Sequence, residues 1–398
     1  MTKSVIRITF TAETDIILGN RIPYRNRIYK SSTAITAQKI RGAIFTALYD
    51  QIPNDDMNSL FLDVISGIDL VSPGQLQCSE CYTFQTMNKA HSTIWECKIC
   101  QGKNKYFERL GNHKEAPSYY KDYLHEWLIY ELQQIENNSS GLSSKDYYRI
   151  PFSKCPNGHQ GTLKSSSMPI CLNCMKLLTS GLGGPKISSR TNIQISKSTR
   201  STKEGALFEY ETLEKGFTFQ IDIVGEENSL DNISRLKRIF LGRGNSRGFG
   251  WIKVCNIEKK TLALHQKELL DTLEQQYEDH KTIVLIARTP IVDFFLDEKS
   301  NFPMTRTYLN ELPEHWKLLT TLGSIQSISG WSYKSDLQKP RFYAGSPGSI
   351  YVYSNLDKGL DFHPLVDFLC GIHTNGAFKS EIHHNLKNFN QFNLWRST

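Results

Sequence analysis

The chain opens on alternation. In "SVIRITF" the apolar Ile6, Ile8 and Phe10 alternate with Arg7 and Thr9, which predicts a strand over Ser4–Phe10. Between Ala34 and Tyr49 the spacing becomes helical, with Ile40, Ile44, Ala47 and Leu48 on one stripe. "ALFEYETLEKGFTFQIDIVG" holds two alternating runs either side of Glu214-Lys215-Gly216, the signal of a hairpin. Asp231–Phe240 reads as a short helix ending at Gly242, Gly248–Asn256 as a strand, and Leu262–Asp279 as a helix centred on "LLDTLEQQYED". Another helix is expected at Tyr119–Ile135. Strand, helix, hairpin, helix, strand is the βαββαβ order of a ferredoxin-like domain. A second unit begins at "TIVLIARTPIVDFFL", is rich in strands and turns from Ile325 to Tyr353, and reads as a second α+β domain.

The stretch between the first helix and the hairpin breaks this pattern. It is polar, including "ENNSSGLSS", and carries seven of the nine cysteines. Cys78-x2-Cys81 and Cys97-x2-Cys100 have the spacing of a zinc ribbon, in which each tight turn aims two thiolates at one metal. Cys155, His159, Cys171 and Cys174 form a second set with a looser first turn. The simplest pairing gives two structural Zn2+ ions, one per set, although pairing across the sets is also open. All eight ligand positions would be filled by protein, which suits folding staples better than catalysis. Cys255 and Cys370 lie in apolar runs and are expected to be buried packing residues.

Composition then narrows the class. The 398 residues are 39% hydrophobic and 22% charged, enough for two or three globular domains. The N-terminus lacks the apolar centre of a signal peptide, and no apolar run approaches the roughly 18 residues of a membrane span, so a cytoplasmic protein with reduced cysteines is expected. The net charge of +7 is moderate, but its distribution is uneven. Ile16–Tyr49 holds Arg21, Arg25, Arg27, Lys30, Lys39 and Arg41 without a carboxylate. Lys186–Lys203 and Ser234–Val254 are likewise basic and acid-free. Three such windows favour a phosphate-bearing partner over three unrelated solvated faces.

The last window contains "LGRGNSRGFGWIKV", where glycine and arginine crowd Gly242 to Gly250. It lacks the Gly-x4-Gly-Lys-Ser/Thr of a P-loop and precedes a strand instead of a helix, which also excludes a dinucleotide fingerprint. A helix–loop–strand element of this composition can lay backbone N–H groups and guanidinium forks along a nucleic-acid backbone. The competing view is a tight connection whose arginines face water. Tyr24, Tyr29 and Phe249 are positioned to stack bases, each worth about 1–3 kcal/mol in that role, or else are ordinary core and surface aromatics.

"FLGRGNSRGFGWIKV" resembles the glycine-rich loop of the RAMP superfamily, the ferredoxin-like RNA-binding subunits of CRISPR effector complexes. "SSTAITAQKIRGAIFTAL" is similar to the first-helix motif of that family. Ile40-Arg41-Gly42-Ala43 match it, and Thr36-Ala37-Gln38 replace the usual Pro-Gly-Ser. "EGALFEYETLEKGFTFQIDI" resembles the strand pair before the loop, and "ISGWSYKSDLQKPRFYAGSPGSIYVY" a C-terminal pattern of the two-domain, five-prime-end subunits of type III systems. The cysteine-bearing insertion and "STKEGALFEYE" point within these to the type III-D Csx-ten members of the Cas-five group. The likeness covers Ile8–Tyr49 and Arg190–Tyr353.

The resemblance implies an α+β chain of two ferredoxin-like (RRM/RAMP) domains, the first interrupted by a zinc-ribbon insertion. Residues 1–59 and 185–260 would form the first domain, 60–184 the insertion and 261–398 the second domain. It further implies a non-catalytic subunit that caps the crRNA five-prime handle and docks the large polymerase-like subunit and the first backbone RAMP subunit. Target RNA would be met only indirectly, and no membrane is involved. Carried over residue by residue, Arg41 and the loop Gly242, Arg243, Gly244, Asn245, Ser246, Arg247, Gly248 and Phe249 would contact RNA, with Arg21, Arg25 and Arg27 as further contacts. Backbone relatives cleave target RNA with a loop aspartate, and Asp15 in "TAETDIILGN" is the candidate for that role. A processing endonuclease with a histidine general acid/base is a second alternative, although "EIHHNL" (His383, His384) reads more simply as a surface turn. A zinc-ribbon nucleic-acid enzyme outside CRISPR systems is a third.

Overall fold

The computed structural model describes residues 3–19, 28–29, 31–32, 34–50, 64, 67–72, 74–78, 81–86, 94–97, 99, 120–122, 163–165, 186–195, 202–277, 282–287, 291–292, 316–328, 331–332, 337–338, 342–355, 362–363, 366 and 392–394. The opening alternation forms strand β1 (Lys3–Ala12), with Ile6, Ile8 and Phe10 buried. Helix α1 (Ala37–Tyr49) follows. It starts at Ala37 and not at Ala34 because Thr36 adopts an extended backbone and caps the helix, its hydroxyl accepting the Lys39 N–H at 3.4 Å. Its apolar stripe (Ile40, Ala43, Ile44, Leu48) is buried.

Strands β2 (Ile68–Val71), β3 (Gln75–Gln77) and β4 (Phe84–Thr86) come next, from the stretch in which the insertion was expected to begin. Two long strands, β5 (Ile187–Ile195) and β6 (Thr202–Leu213), then lead into β7 (Thr218–Glu226), α2 (Glu227–Ser234), β8 (Arg238–Phe240), β9 (Trp251–Thr261) and α3 (Leu262–Tyr277). The main sheet runs β8-β9-β1-β7-β3-β4, with β2 also paired to β7, and every pairing is antiparallel. Register sets Ile6 opposite Ile223, Ile8 opposite Ile221 and Phe10 opposite Phe219. This aligns the apolar face of the sheet with the buried residues of α1 and α2, and the Phe10 and Phe219 rings stack at 5.1 Å.

Four local expectations are corrected. The turn at Glu214-Lys215-Gly216 is present, but its flanking strands do not pair with each other. β6 pairs with β5 and with Ile28–Tyr29, whereas β7 joins the main sheet. The chain just after β1 comes between them: Gly216 N–H donates to Ala12 O, Ala12 N–H to Phe217 O, and Ile16 and Leu213 exchange both backbone bonds at 2.8 Å. The helix expected to run to Phe240 stops at Ser234, and Arg238–Phe240 is strand, with Ile239 buried against the core. Tyr120–Asp122 is a strand instead of the start of a helix, because it pairs with Ile94–Glu96. Cys255 is exposed. The register of β1 against β9 passes from Thr9↔Asn256 to Phe10↔Val254, so Cys255 is the extra residue of a β-bulge and turns outward. Cys370 lies outside the described residues.

In the second half, β10 (Thr282–Ala287), β11 (Trp316–Leu322), β12 (Ile350–Asn355) and β13 (Phe392–Leu394) form a sheet of order β11-β12-β10-β13, again antiparallel throughout. Four of the seven strands of the first sheet, β3-β7-β1-β9, stand second-third-first-fourth among themselves, the order of the four-stranded second sheet β11-β12-β10-β13; β2, β4 and β8 are additional to that order. The chain is thus a mixed α/β protein built on antiparallel sheets. No helix among the described residues is long and apolar enough to cross a membrane.

Candidate nucleic-acid interface

The glycine-rich segment is the connection of a hairpin. Phe240 pairs with Trp251, and Leu241 N–H donates to Gly250 O at 2.8 Å, so the loop is closed at its base by strand on both sides and not by a helix on one. Its tip is a single 3-10 turn, Asn245–Arg247, bounded by Gly244 (φ 87°) and Gly248 (φ 79°). At the base, Gly242 (φ 97°) and Gly250 (φ 81°) meet neighbours that leave no room for a side chain. A Cβ on Gly242 would lie 2.4 Å from Ile17 O, and one on Gly250 would lie 2.6 Å from Leu241 O. Glycine here is needed for both backbone sign and closeness.

Two further contacts tie the loop to the segment after β1. Arg243 N–H donates to Ile17 O at 3.1 Å and Gly250 N–H to Asp15 O at 2.9 Å. Gly242, Arg243, Asn245, Ser246, Arg247 and Gly248 are exposed, Gly244 and Phe249 partly so. Beside the loop lies an open depression of about 670 Å³ lined by Phe240 and Gly242 to Ser246.

All three acid-free windows reach this loop, the first through Ile17 O, which accepts the Arg243 N–H. From the first, Lys39 donates its ammonium to Leu18 O at 3.4 Å. Burial pulls the Lys39 pKa below its ordinary value, and the nearby positive charge of Arg243 adds to the effect. From the second, Arg190 places its guanidinium 5.4 Å from the centre of the Phe249 ring. From the third come Arg243 and Arg247 themselves. Cations gathered beside flexible-backbone glycines, with an aromatic ring among them, are what a single-stranded polyanion needs from a protein surface.

The remaining sequence candidates have distinct placements. Arg247 donates to the Tyr210 hydroxyl at 2.9 Å and lies 5.4 Å from the centre of that ring, so it is docked on β6. Arg41 is half-buried on α1 with its guanidinium 5.1 Å over Phe45. Burial pulls its pKa down. Arg238, also in the third window, is taken up by Glu13 at 2.6 Å and by the Trp251 ring. Arg21, Arg25 and Arg27 lie outside the described residues, as do Tyr24, His383 and His384. The Asp15 carboxylate accepts Arg190 Nη2 at 2.5 Å and the Lys215 N–H at 3.0 Å.

Sequence reasoning missed Lys39, Arg190 and Tyr210 as parts of the site. The first two were visible as members of the basic windows. Tyr210 sits between Glu209 and Glu211 and carried no such signal.

For the metal centres, Cys78, Cys81 and Cys97 are described, whereas Cys100, Cys155, His159, Cys171 and Cys174 are not. Cys78 and Cys81 lie in the turn between β3 and β4, where Cys78 N–H donates to Thr83 O and Tyr82 N–H to Cys78 O, both at 2.9 Å. Tyr82 closes the turn with φ 57°. Cys97 is buried at the end of Ile94–Cys97, in a small sheet with Tyr120–Asp122 and Leu163–Ser165. Among the described residues, no three His, Cys, Asp or Glu side chains are gathered to hold a metal.

No protein-family model matches the chain, and no curated protein matches it in sequence. Solved structures do match in shape. A chain of the type III-B Cmr-beta bound to cognate target RNA and AMPPnP aligns over 96% of this chain and 93% of its own length, with 13% identity and a TM-score of 0.44. A chain of the type III-B Cmr-beta bound to cognate target RNA aligns over 97% and 96%, with 14% identity and a TM-score of 0.42. A chain of the apo state of Cmr-beta aligns over 63% of this chain and 96% of its own, with 12% identity and a TM-score of 0.31.

Proposed function

We propose that this chain is a non-catalytic, RNA-binding subunit of a type III CRISPR effector complex, a two-domain RAMP protein that grips the five-prime handle of the crRNA. The observation that carries the reading is that three separate basic windows reach one glycine-rich loop, through Ile17 O on Arg243, Arg190 over Phe249, and the loop's own arginines. The order shared by four strands of the first main sheet and the four of the second supports a pair of ferredoxin-like domains. The four sequence stretches that resemble the RAMP family support the setting, and within it a type III-D subunit that docks the large polymerase-like subunit and the first backbone subunit.

In this reading Arg243 neutralises phosphate beside the depression it lines, with the positive charge of Lys39 nearby, and loop glycines let the backbone approach the strand. Asp15 serves structure, since both carboxylate oxygens are engaged. Zn2+ is proposed as a structural cofactor of the cysteine-bearing region.

The test is binding of single-stranded crRNA by the purified chain across a salt series. Arg243→Glu is expected to weaken binding and to lower the dependence of log K on log salt by about 0.7 for the lost phosphate contact. Unchanged affinity in that variant would falsify the RNA reading. RNA cleavage by the purified chain that disappears in Asp15→Ala would replace the scaffold role with a catalytic one.

A further inference from the structure

We infer that Asp15, Arg190 and Tyr210 are positioning residues that latch the glycine loop onto the β5–β6 pair, and that the latched shape is the one RNA meets; the second clause rests on the proposed RNA-binding role. The geometry is specific. Arg190 on β5 and Tyr210 on β6 are direct cross-strand partners. From this one register position two grips extend. Arg190 lies over the ring of Phe249, and the Tyr210 hydroxyl accepts from Arg247, whose guanidinium also lies near the Tyr210 ring. Phe249 and Arg247 are two residues apart in the loop, and both reach this one cross-strand pair.

Asp15 closes the arrangement. Its backbone oxygen accepts the N–H of Gly250 at the loop base, one carboxylate oxygen accepts the Lys215 N–H in the turn between β6 and β7, and the other accepts Arg190. One residue therefore joins the loop, the turn and the outer strand pair, and its side chain is only 12% exposed while that of Arg190 is 56% exposed. The loop needs such a brace. Its four positive-φ glycines carry no side chains of their own with which to hold a shape.

The arginines of the loop thereby divide in role. Arg243, exposed on the wall of the depression, acts on the ligand through its charge, and Arg247 acts through Tyr210 to hold the tip. A charge contact and a positioning contact leave different signatures, because only the first changes the number of phosphates neutralised.

The experiment measures amide hydrogen exchange of residues 243–250 in the RNA-free full chain, and in parallel the affinity for a labelled single-stranded oligouridine across a salt series. Tyr210→Ala, which alters no charge, is expected to speed exchange at the loop and to weaken binding about three- to tenfold, the size of one exposed cation–π pair with its hydrogen bond, with the salt dependence kept. Tyr210→Phe keeps the ring and is expected to recover part of both; Arg190→Lys keeps the charge on Asp15 and is expected to do better than Arg190→Gln. Arg243→Gln is expected to lower the salt dependence and leave exchange as in the parent chain. Loop exchange and affinity unchanged in Tyr210→Ala would overturn the latch, as would faster exchange with unaltered affinity. Should the parent chain fail to bind RNA while Tyr210→Ala still frees the loop, the RNA-binding role falls and the latch stands.

Discussion

Gly242 and Gly248 both sit in the left-handed region, yet their surroundings differ, and the difference is measurable. At Gly248 nothing lies within 4 Å of the place a Cβ would take, so Gly248→Ala is expected to cost only the intrinsic left-handed penalty, about 1–2 kcal/mol. At Gly242 the same methyl group would collide with Ile17 O, the atom that accepts the Arg243 N–H. Gly242→Ala is therefore expected to cost more than Gly248→Ala and to weaken RNA binding as well, by displacing Arg243 from its place beside Lys39. Urea unfolding midpoints with RNA titrations of the two variants check the order, and equal effects would mean that the Ile17 contact does not shape the loop. The same contrast explains why a count of glycines in the sequence could mark this loop but could not rank its members. Backbone sign is local, whereas the approach of Ile17 comes from a residue more than 200 positions away.

Among the elements, the main sheet carries an ion pair on its less apolar face. Arg7 and Asp222 are register partners, joined by Nε to Oδ1 at 2.7 Å and Nη2 to Oδ2 at 3.3 Å. The Asp222 side chain is 2% exposed and that of Arg7 36%, so the two ends of the pair are not equivalent. With Arg7 removed, a carboxylate remains buried without its cation; with Asp222 removed, the guanidinium can turn to water. Arg7→Met is thus expected to destabilise by about 3–5 kcal/mol and Asp222→Asn by less, about 1–3 kcal/mol. Chemical denaturation of both variants tests this, and the reverse order would show that Asp222 is held by other donors. What was legible at this scale follows from how local each signal is. The strand Lys3–Ala12 and the stripe of α1 declare themselves by period. Arg238–Phe240 is too short to show one, and its strand character comes from pairing with β9. The turn at Lys215 was readable as a reversal, but turn chemistry does not state which sheet each arm will join. Likewise the outward position of Cys255 follows from a bulge defined by β1, which its neighbours in sequence do not encode.

Across the whole molecule, a four-strand order recurs in the two main sheets, and between the parts of the first lies the cysteine-bearing stretch with its polar run "ENNSSGLSS". The proposed zinc ions bear on how that stretch is joined to the main sheet. Cys78 and Cys81 stand on a turn rooted in the main sheet, since β3 pairs with β7 and Cys78 is buried in the main core. Cys97 belongs instead to the small sheet of Ile94–Cys97, Tyr120–Asp122 and Leu163–Ser165. A metal taking thiolates from both would join a well-packed sheet to a small one through bonds that do not depend on buried area. The expected metal content is about two zinc ions per chain. Chelation is expected to open the stretch between residues 87 and 186 to protease while the main sheet persists, because that sheet is held by its own core. Replacing Cys97 and Cys100 by serine should lower the zinc content by one ion and produce the same cleavage without chelator. Elemental analysis with mass-mapped limited proteolysis reads both effects. A chain that purifies with less than one zinc and is cut identically with and without chelator would remove the metal from this account and require another source of order for the insertion.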